Sequence, residues 1–143
     1  MAGIDRNKVQ SYRAEIKDSL NILREIVSGD ITLFVRDPLK VRALKYSLIV
    51  MVEAICNLSR HMLAKISHVA VEEYMETIIK MGEKGFISEE RTKRLVPLIK
   101  LRHQLIHGYW KTNDARLFQE TKDNLSEVES FIQEIDSIIP KSD

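Results

Sequence analysis

At 143 residues the chain is long enough to bury its own core. With 44% apolar and 30% charged residues, only three Pro and five Gly, it reads as an all-helical globular protein. The longest apolar run, Ser47 to Val52, is closed by Glu53, too short to span a membrane. The single cysteine, Cys56, excludes an internal disulfide and a thiolate metal cluster.

In chain order, a first helix is expected from Asn7 to Val27, where Val9, Tyr12, Ile16, Leu20, Leu23 and Val27 recur at three- and four-residue steps, with Gly29 ending it. Ile31 to Val35 looks locally like a strand, but with no second strand to pair with it reads as a packed connector. Asp37-Pro38 opens the second helix: Asp caps the free amides, and Pro suits the first helical position. That helix runs to about Ile66. It is apolar over much of its girth, with Val41, Leu44, Leu48, Met51, Ile55, Leu58 and Met62 in one row and Val52 and Leu63 in another, so neighbours are expected on two sides.

A third helix spans about Val71 to Gly82, Gly85 breaks the chain, and Phe86 and Ile87 pack the turn. Ser88 caps a fourth, with Glu89 and Glu90 at the positive end of its dipole; Pro97 is expected to kink or split it before it ends at Gly108. Asn113 or Asp114 caps a fifth, carrying Leu117, Phe118, Leu125, Val128, Ile132, Ile135 and Ile139 until Pro140 stops it. No internal repeat is present. The expected fold is all-α: one domain over residues 1–143, an up-and-down bundle of four to five helices with short connections. The first eight residues have no apolar core of the kind a secretory signal needs, so a cytoplasmic location is expected, with no membrane partner.

The net charge of +1 hides an uneven distribution. Seven Lys or Arg and one acid lie between Arg91 and Arg116, whereas Leu117 to Asp143 holds seven acids and two Lys. Either the basic block takes an anionic ligand, or the basic and acidic helices pair with each other.

The basic block surrounds the densest chemistry in the chain, Arg102-His103-Gln104-Leu105-Ile106-His107-Gly108-Tyr109-Trp110. His103 and His107, four apart, have a spacing that can hold zinc. Gln104 stands where a zincin needs Glu, and a third ligand would have to come from elsewhere, so no metal is expected. Cys56 reads as a small buried hydrophobe, and His61 and His68, at or after the end of the second helix, as surface or capping residues. There is no Gly-rich phosphate loop.

Arg102 and His107 suit phosphate chemistry better. Arg presents a permanent planar charge to phosphate oxygens, and His exchanges a proton near neutral pH. RNA carries its own nucleophile, the 2′-hydroxyl, so a base, an acid and a positive clamp suffice without metal. Residues five apart on an ideal helix are about 140° apart around the axis and about 7.5 Å along it. Arg102 and His107 therefore do not sit side by side in one chain, and two copies sharing a cleft would bring them together. The blander alternative is that Arg102 pairs with an acid on the last helix, His107 caps its helix, and Tyr109 and Trp110 anchor the core.

Arg-x-x-x-x-His-x-Tyr, placed late in a small helical bundle, resembles the HEPN superfamily, and in particular the HepT-type toxins of prokaryotic toxin–antitoxin pairs. The resemblance extends to the Glu53-Ala54-Ile55-Cys56-Asn57-Leu58-Ser59-Arg60-His61 segment, the Gly85-Phe86-Ile87 turn, and Leu105 to Trp110 followed by an acidic last helix. It implies a metal-independent endoribonuclease acting as a homodimer, with RNA as substrate, no cofactor, and Arg102 and His107 as the catalytic pair. It further implies a minimal nucleotidyltransferase (MntA-like) antitoxin that adenylylates Tyr109, filling the cleft with a bulky anion. His103 departs from the Asn common after the motif's Arg, keeping a polar side chain in a supporting position. The alternative within this resemblance is a non-catalytic HEPN helical module that binds a nucleotidyltransferase partner, a nucleotide or RNA.

Overall fold

The structure, a computed structural model, describes residues 3–108 and 113–139. Six helices run along the described chain: α1 (Arg6–Val27), α2 (Ile31–Val35), α3 (Pro38–Ile66), α4 (Tyr74–Glu83), α5 (Glu89–Gly108) and α6 (Asp114–Asp136). The all-helical class and the five longer helices are as the sequence predicts. The sixth is a correction: Ile31 to Val35 is a helical turn rather than an extended connector. Asp30 dictates this, its Oδ1 accepting the Thr32 and Leu33 N–H groups at 2.7 and 3.1 Å.

The same local chemistry starts α1, α3, α5 and α6. Asp5 accepts from Asn7 and Lys8, and Asp37 from Leu39 and Lys40, with Pro38 opening α3. Ser88 Oγ accepts from Arg91 N, and Asn113 Oδ1 from Arg116 N, both at 3.0 Å. Each such cap stabilises its helix by about 1 kcal/mol. Gly85, at φ 77°, ends α4, and Phe86 N donates to Met81 O at 3.0 Å, closing a Schellman turn over buried Phe86 and Met81.

Pro97 neither splits nor ends α5, which continues unbroken to Gly108. Its ring sits on the exposed side while Leu95, Leu98 and Ile99 are buried, so packing on the inner side holds the helix across the missing hydrogen bond. The helix starting at Tyr74 begins later than the expected Val71, and the last helix ends at Asp136 rather than Ile139, whose N–H still bonds back to Ile135 O. Pro140 lies outside the described residues.

The long α3 is the axis of the bundle. It packs against α1, α2, α4, α5 and α6, which is why Leu44, Leu48, Met51, Val52, Ile55, Leu58, Met62 and Leu63 are all sealed from water. Burying a side chain of this size stabilises by roughly 1.5–3 kcal/mol. α6 lies against α1 and α5, and α4 against α3 and α5. No helix among the described residues is long and apolar enough to cross a membrane.

Candidate active site

The charged helices meet in part. Arg91, near the start of α5, binds Glu127 and Glu134 of α6, with Nε to Glu134 Oε1 at 2.8 Å. Glu134 also accepts the Ser88 N–H at 2.6 Å, fastening the first turn of α5 to α6. The other cross-helix acids of α6 turn to α1 and α3: Asp136 meets Arg13, Glu129 meets Arg24, and Asp114 meets Lys45 of α3. Among the described residues, Lys93, Arg94 and Arg116 pair with acids on their own helices, in exposed contacts that contribute little. Pairing between the basic and acidic helices thus accounts for Arg91 and leaves Arg102 out.

Arg102 does not turn to the last helix. Its Nη2 donates to Glu53 Oε2 on α3 at 3.0 Å. Glu53 is the only acid in α3 and is placed where the helix is otherwise apolar. The Arg102 guanidinium lies over the Tyr74 ring, 3.8 Å from its centroid. Arg60 approaches the same ring at 4.7 Å and is itself held by Asn57 Oδ1, Cys56 O and Glu72 O. Arg102 Nε is buried and has no hydrogen-bond partner. A permanently charged guanidinium held over an aromatic ring and lining a groove is suited to receive an anion.

Around Arg102 runs a groove of about 470 Å³ lined by Glu73, Tyr74, Met75, Ile99, Lys100, Arg102, His103 and Gln104. A second cavity opens at the other side of the helix end, between α5 and α6, lined by residues that include His103, His107, Gly108, Asn113, Arg116 and Glu120. Among the described residues Arg102 lines only the first and His107 only the second; His103 and Gln104 line both. The motif's two principal residues therefore open onto different spaces, as the helical offset of five residues requires.

His103 and His107 stand together, their ring centroids 4.3 Å apart and the planes tilted by 46°. Both are exposed, His107 in the last turn of α5 and His103 one turn before it. Among the described residues no group of three or more His, Cys, Asp or Glu is arranged to hold a metal ion. Tyr109 and Trp110, which the sequence reading also assigns to this run, lie outside the described residues.

The other candidate groups take structural places. His61 Nε2 accepts the Asp5 backbone N–H at 3.0 Å, and His68 adopts a left-handed φ of 56° just beyond α3. Cys56 is fully buried; burial pushes its thiol up to about 12 against the opposing pull of Arg60 and Arg102. The roles of Glu53, Tyr74 and Arg60 around Arg102 escape the sequence reading. A signal existed for Glu53, the lone acid of a long buried helix, but none for Tyr74.

The family model of the HepT-like group, described as ribonuclease HepT-like, matches residues 16–135. No curated protein matches the chain in sequence. Among solved structures it is similar to the cytosolic protein of unknown function YutE from Bacillus subtilis, at 18% identity and TM-score 0.84 over 99% of both chains. It is also similar to a chain of the MntA–HpeT toxin–antitoxin structure, at 18% identity and TM-score 0.80, over 92% of this chain and 98% of that one. A third likeness is to a structure of the tri-AMPylated Shewanella oneidensis HEPN toxin in complex with MNT antitoxin, at 20% identity and TM-score 0.79, over 96% of this chain and 99% of that one. At these identities the structural likeness establishes the fold.

Proposed function

The chain belongs to the HepT-like ribonuclease family, and on that premise we propose that it is a metal-independent endoribonuclease, the toxin of a pair whose antitoxin is a nucleotidyltransferase. The observation that supports this reading is Arg102 itself: a guanidinium over the Tyr74 ring and tied to Glu53, lining a groove that His103 also lines.

In the proposed reaction the 2′-hydroxyl of RNA loses its proton and attacks the adjacent phosphorus. The bond to the 5′-oxygen breaks and that oxygen takes a proton, leaving a 2′,3′-cyclic phosphate and a 5′-hydroxyl. Arg102 is always charged and so serves as the clamp on the phosphorane oxygens. His107, supported by His103, moves the protons. Because Arg102 and His107 open onto different spaces within one chain, the working site is composite, with a second copy in a homodimer supplying the complementary group.

The named likenesses to toxin–antitoxin structures, one of them an AMPylated toxin, support a nucleotidyltransferase partner for this chain and Tyr109, directly after the end of α5, as the acceptor of the adenylate. A nucleotide there would place negative charge and bulk beside His107 and compete with RNA.

The test is cleavage of RNA by purified protein in EDTA, compared with His107→Ala. The expected result is cutting by the wild type and a loss of at least roughly 100-fold in the variant, with unchanged helical content. Intact RNA with folded, dimeric wild type would overturn the enzymatic reading in favour of a non-catalytic module.

A further inference from the structure

One ring in this structure carries two cations. The centroid of Tyr74, the first residue of α4, is 4.7 Å from the guanidinium of Arg60 and 3.8 Å from that of Arg102. Only one carboxylate, Glu53, is bonded to Arg102, and it is partly exposed. Arg60 is fixed from α3 and from the backbone at Glu72, two residues before the ring. The ring is thus approached by one guanidinium, Arg60, that is anchored elsewhere.

We propose that Tyr74 is the positioning residue of the site, its ring lying beside the anchored Arg60 and fixing the plane of the Arg102 guanidinium in the groove. This rests on the reading of Arg102 as the phosphate clamp. The physical argument is that Glu53 alone cannot define that plane. A single hydrogen bond from Nη2 leaves the guanidinium plane free to tilt about it. Stacking on a ring supplies the missing restraint, because a guanidinium parallel to an aromatic face is attracted by the ring quadrupole while its edge donors remain available. The groove wall beyond Tyr74 is Glu73 and Met75, neither of which can replace that face.

This role depends on the ring's electrons rather than on its size, which makes it separable from ordinary packing. The experiment places Phe at position 74, and then phenylalanines of increasing fluorination, which keep the shape but drain the negative face. Two readings are taken on each dimeric protein: the Arg102 Nε–H resonance, and kcat and KM for RNA cleavage in EDTA. Tyr74→Phe is expected to keep the ring-current-shifted, slowly exchanging Arg102 signal and most of the rate. Each added fluorine is expected to broaden or shift that signal and lower kcat, by roughly tenfold across the series, with little change in KM.

An Arg102 signal that stays constant across the fluorinated series overturns the assignment, whether or not RNA is cut. A signal that changes with fluorination while no protein of the series, wild type included, cuts RNA upholds the positioning of Arg102 and overturns the ribonuclease reading instead. A Tyr74→Leu variant completes the set, and the fluorinated series decides the matter if that variant fails to fold.

Discussion

His61 on α3 accepts the backbone N–H of Asp5 through Nε2 at 3.0 Å, so an imidazole near the end of one helix fastens the start of another. That contact requires the neutral ring. Burial, with Lys8 and Lys65 nearby, holds His61 below its ordinary value of 6.5, against the opposing effect of Asp5. The unfolded chain therefore takes up this proton first as the pH falls. The stabilisation is complete above about pH 6.5 and is lost as the pH drops from there through the folded value. Urea unfolding at a series of pH values should show stability declining on the acid side. In His61→Gln, which keeps an acceptor that does not titrate, the decline should be shallower. Equal slopes for the two proteins would disprove the linkage.

A composite site makes a second prediction that a site within one chain does not. Arg102→Ala and His107→Ala should each be inactive. When the two are mixed and allowed to exchange subunits, mixed dimers carry one intact Arg102–His107 combination. Cleavage should then return to roughly a quarter of the wild-type rate, half of the dimers being mixed and each holding one working site of two. No recovery, with exchange verified by mass spectrometry, would place the reacting groups in a single chain.

Cys56 should be silent to thiol reagents in the folded protein. It is sealed in the core, and its thiol is pushed up to about 12 by burial, so no thiolate is exposed at pH 8. Labelling with a disulfide reagent is expected only on addition of denaturant, at the rate of global unfolding. Prompt stoichiometric labelling in buffer would show that the core of α3 opens readily.

The clamp between α5 and α6 sets a fourth expectation. Arg91 serves both Glu127 and Glu134, and Glu134 also binds Ser88 N. Arg91→Met would leave two carboxylates facing each other without their cation. A loss of about 2–3 kcal/mol in unfolding free energy is expected. Arg94→Ala, which removes an exposed pair with Glu90, should cost less than about 0.5 kcal/mol. Similar losses for both would mean that the clamp contributes nothing beyond a surface pair.

The legible parts of this protein were those written in local chemistry. Asp37-Pro38, Ser88 and Gly85 announce their helix ends, because caps and left-handed turns depend on a few adjacent residues. The offset between Arg102 and His107 followed from helical pitch alone. What could not be read was set by packing. Ile31 to Val35 has β-branched residues that favour a strand in isolation, and the Asp30 cap together with burial of Phe34 decides otherwise. Pro97 marks a break that tertiary contacts override. Glu53 and Arg102 are 49 positions apart, and Tyr74 reaches Arg102 only because α4 folds back against α3 and α5. No spacing rule encodes a contact of that kind.

The central placement of α3 has a consequence for amide hydrogen exchange. A helix packed against all five others exposes its amides only when the whole bundle comes apart, so the backbone beneath Glu53 and Arg60 should exchange last. α4 is shorter, packs only on α3 and α5, and lacks a side-chain cap at its start. Its protection should be lost first, at a free energy below that of global unfolding. The Arg102 environment thus joins a wall that is nearly permanent to one that opens on its own schedule, and Tyr74 sits on the wall that opens.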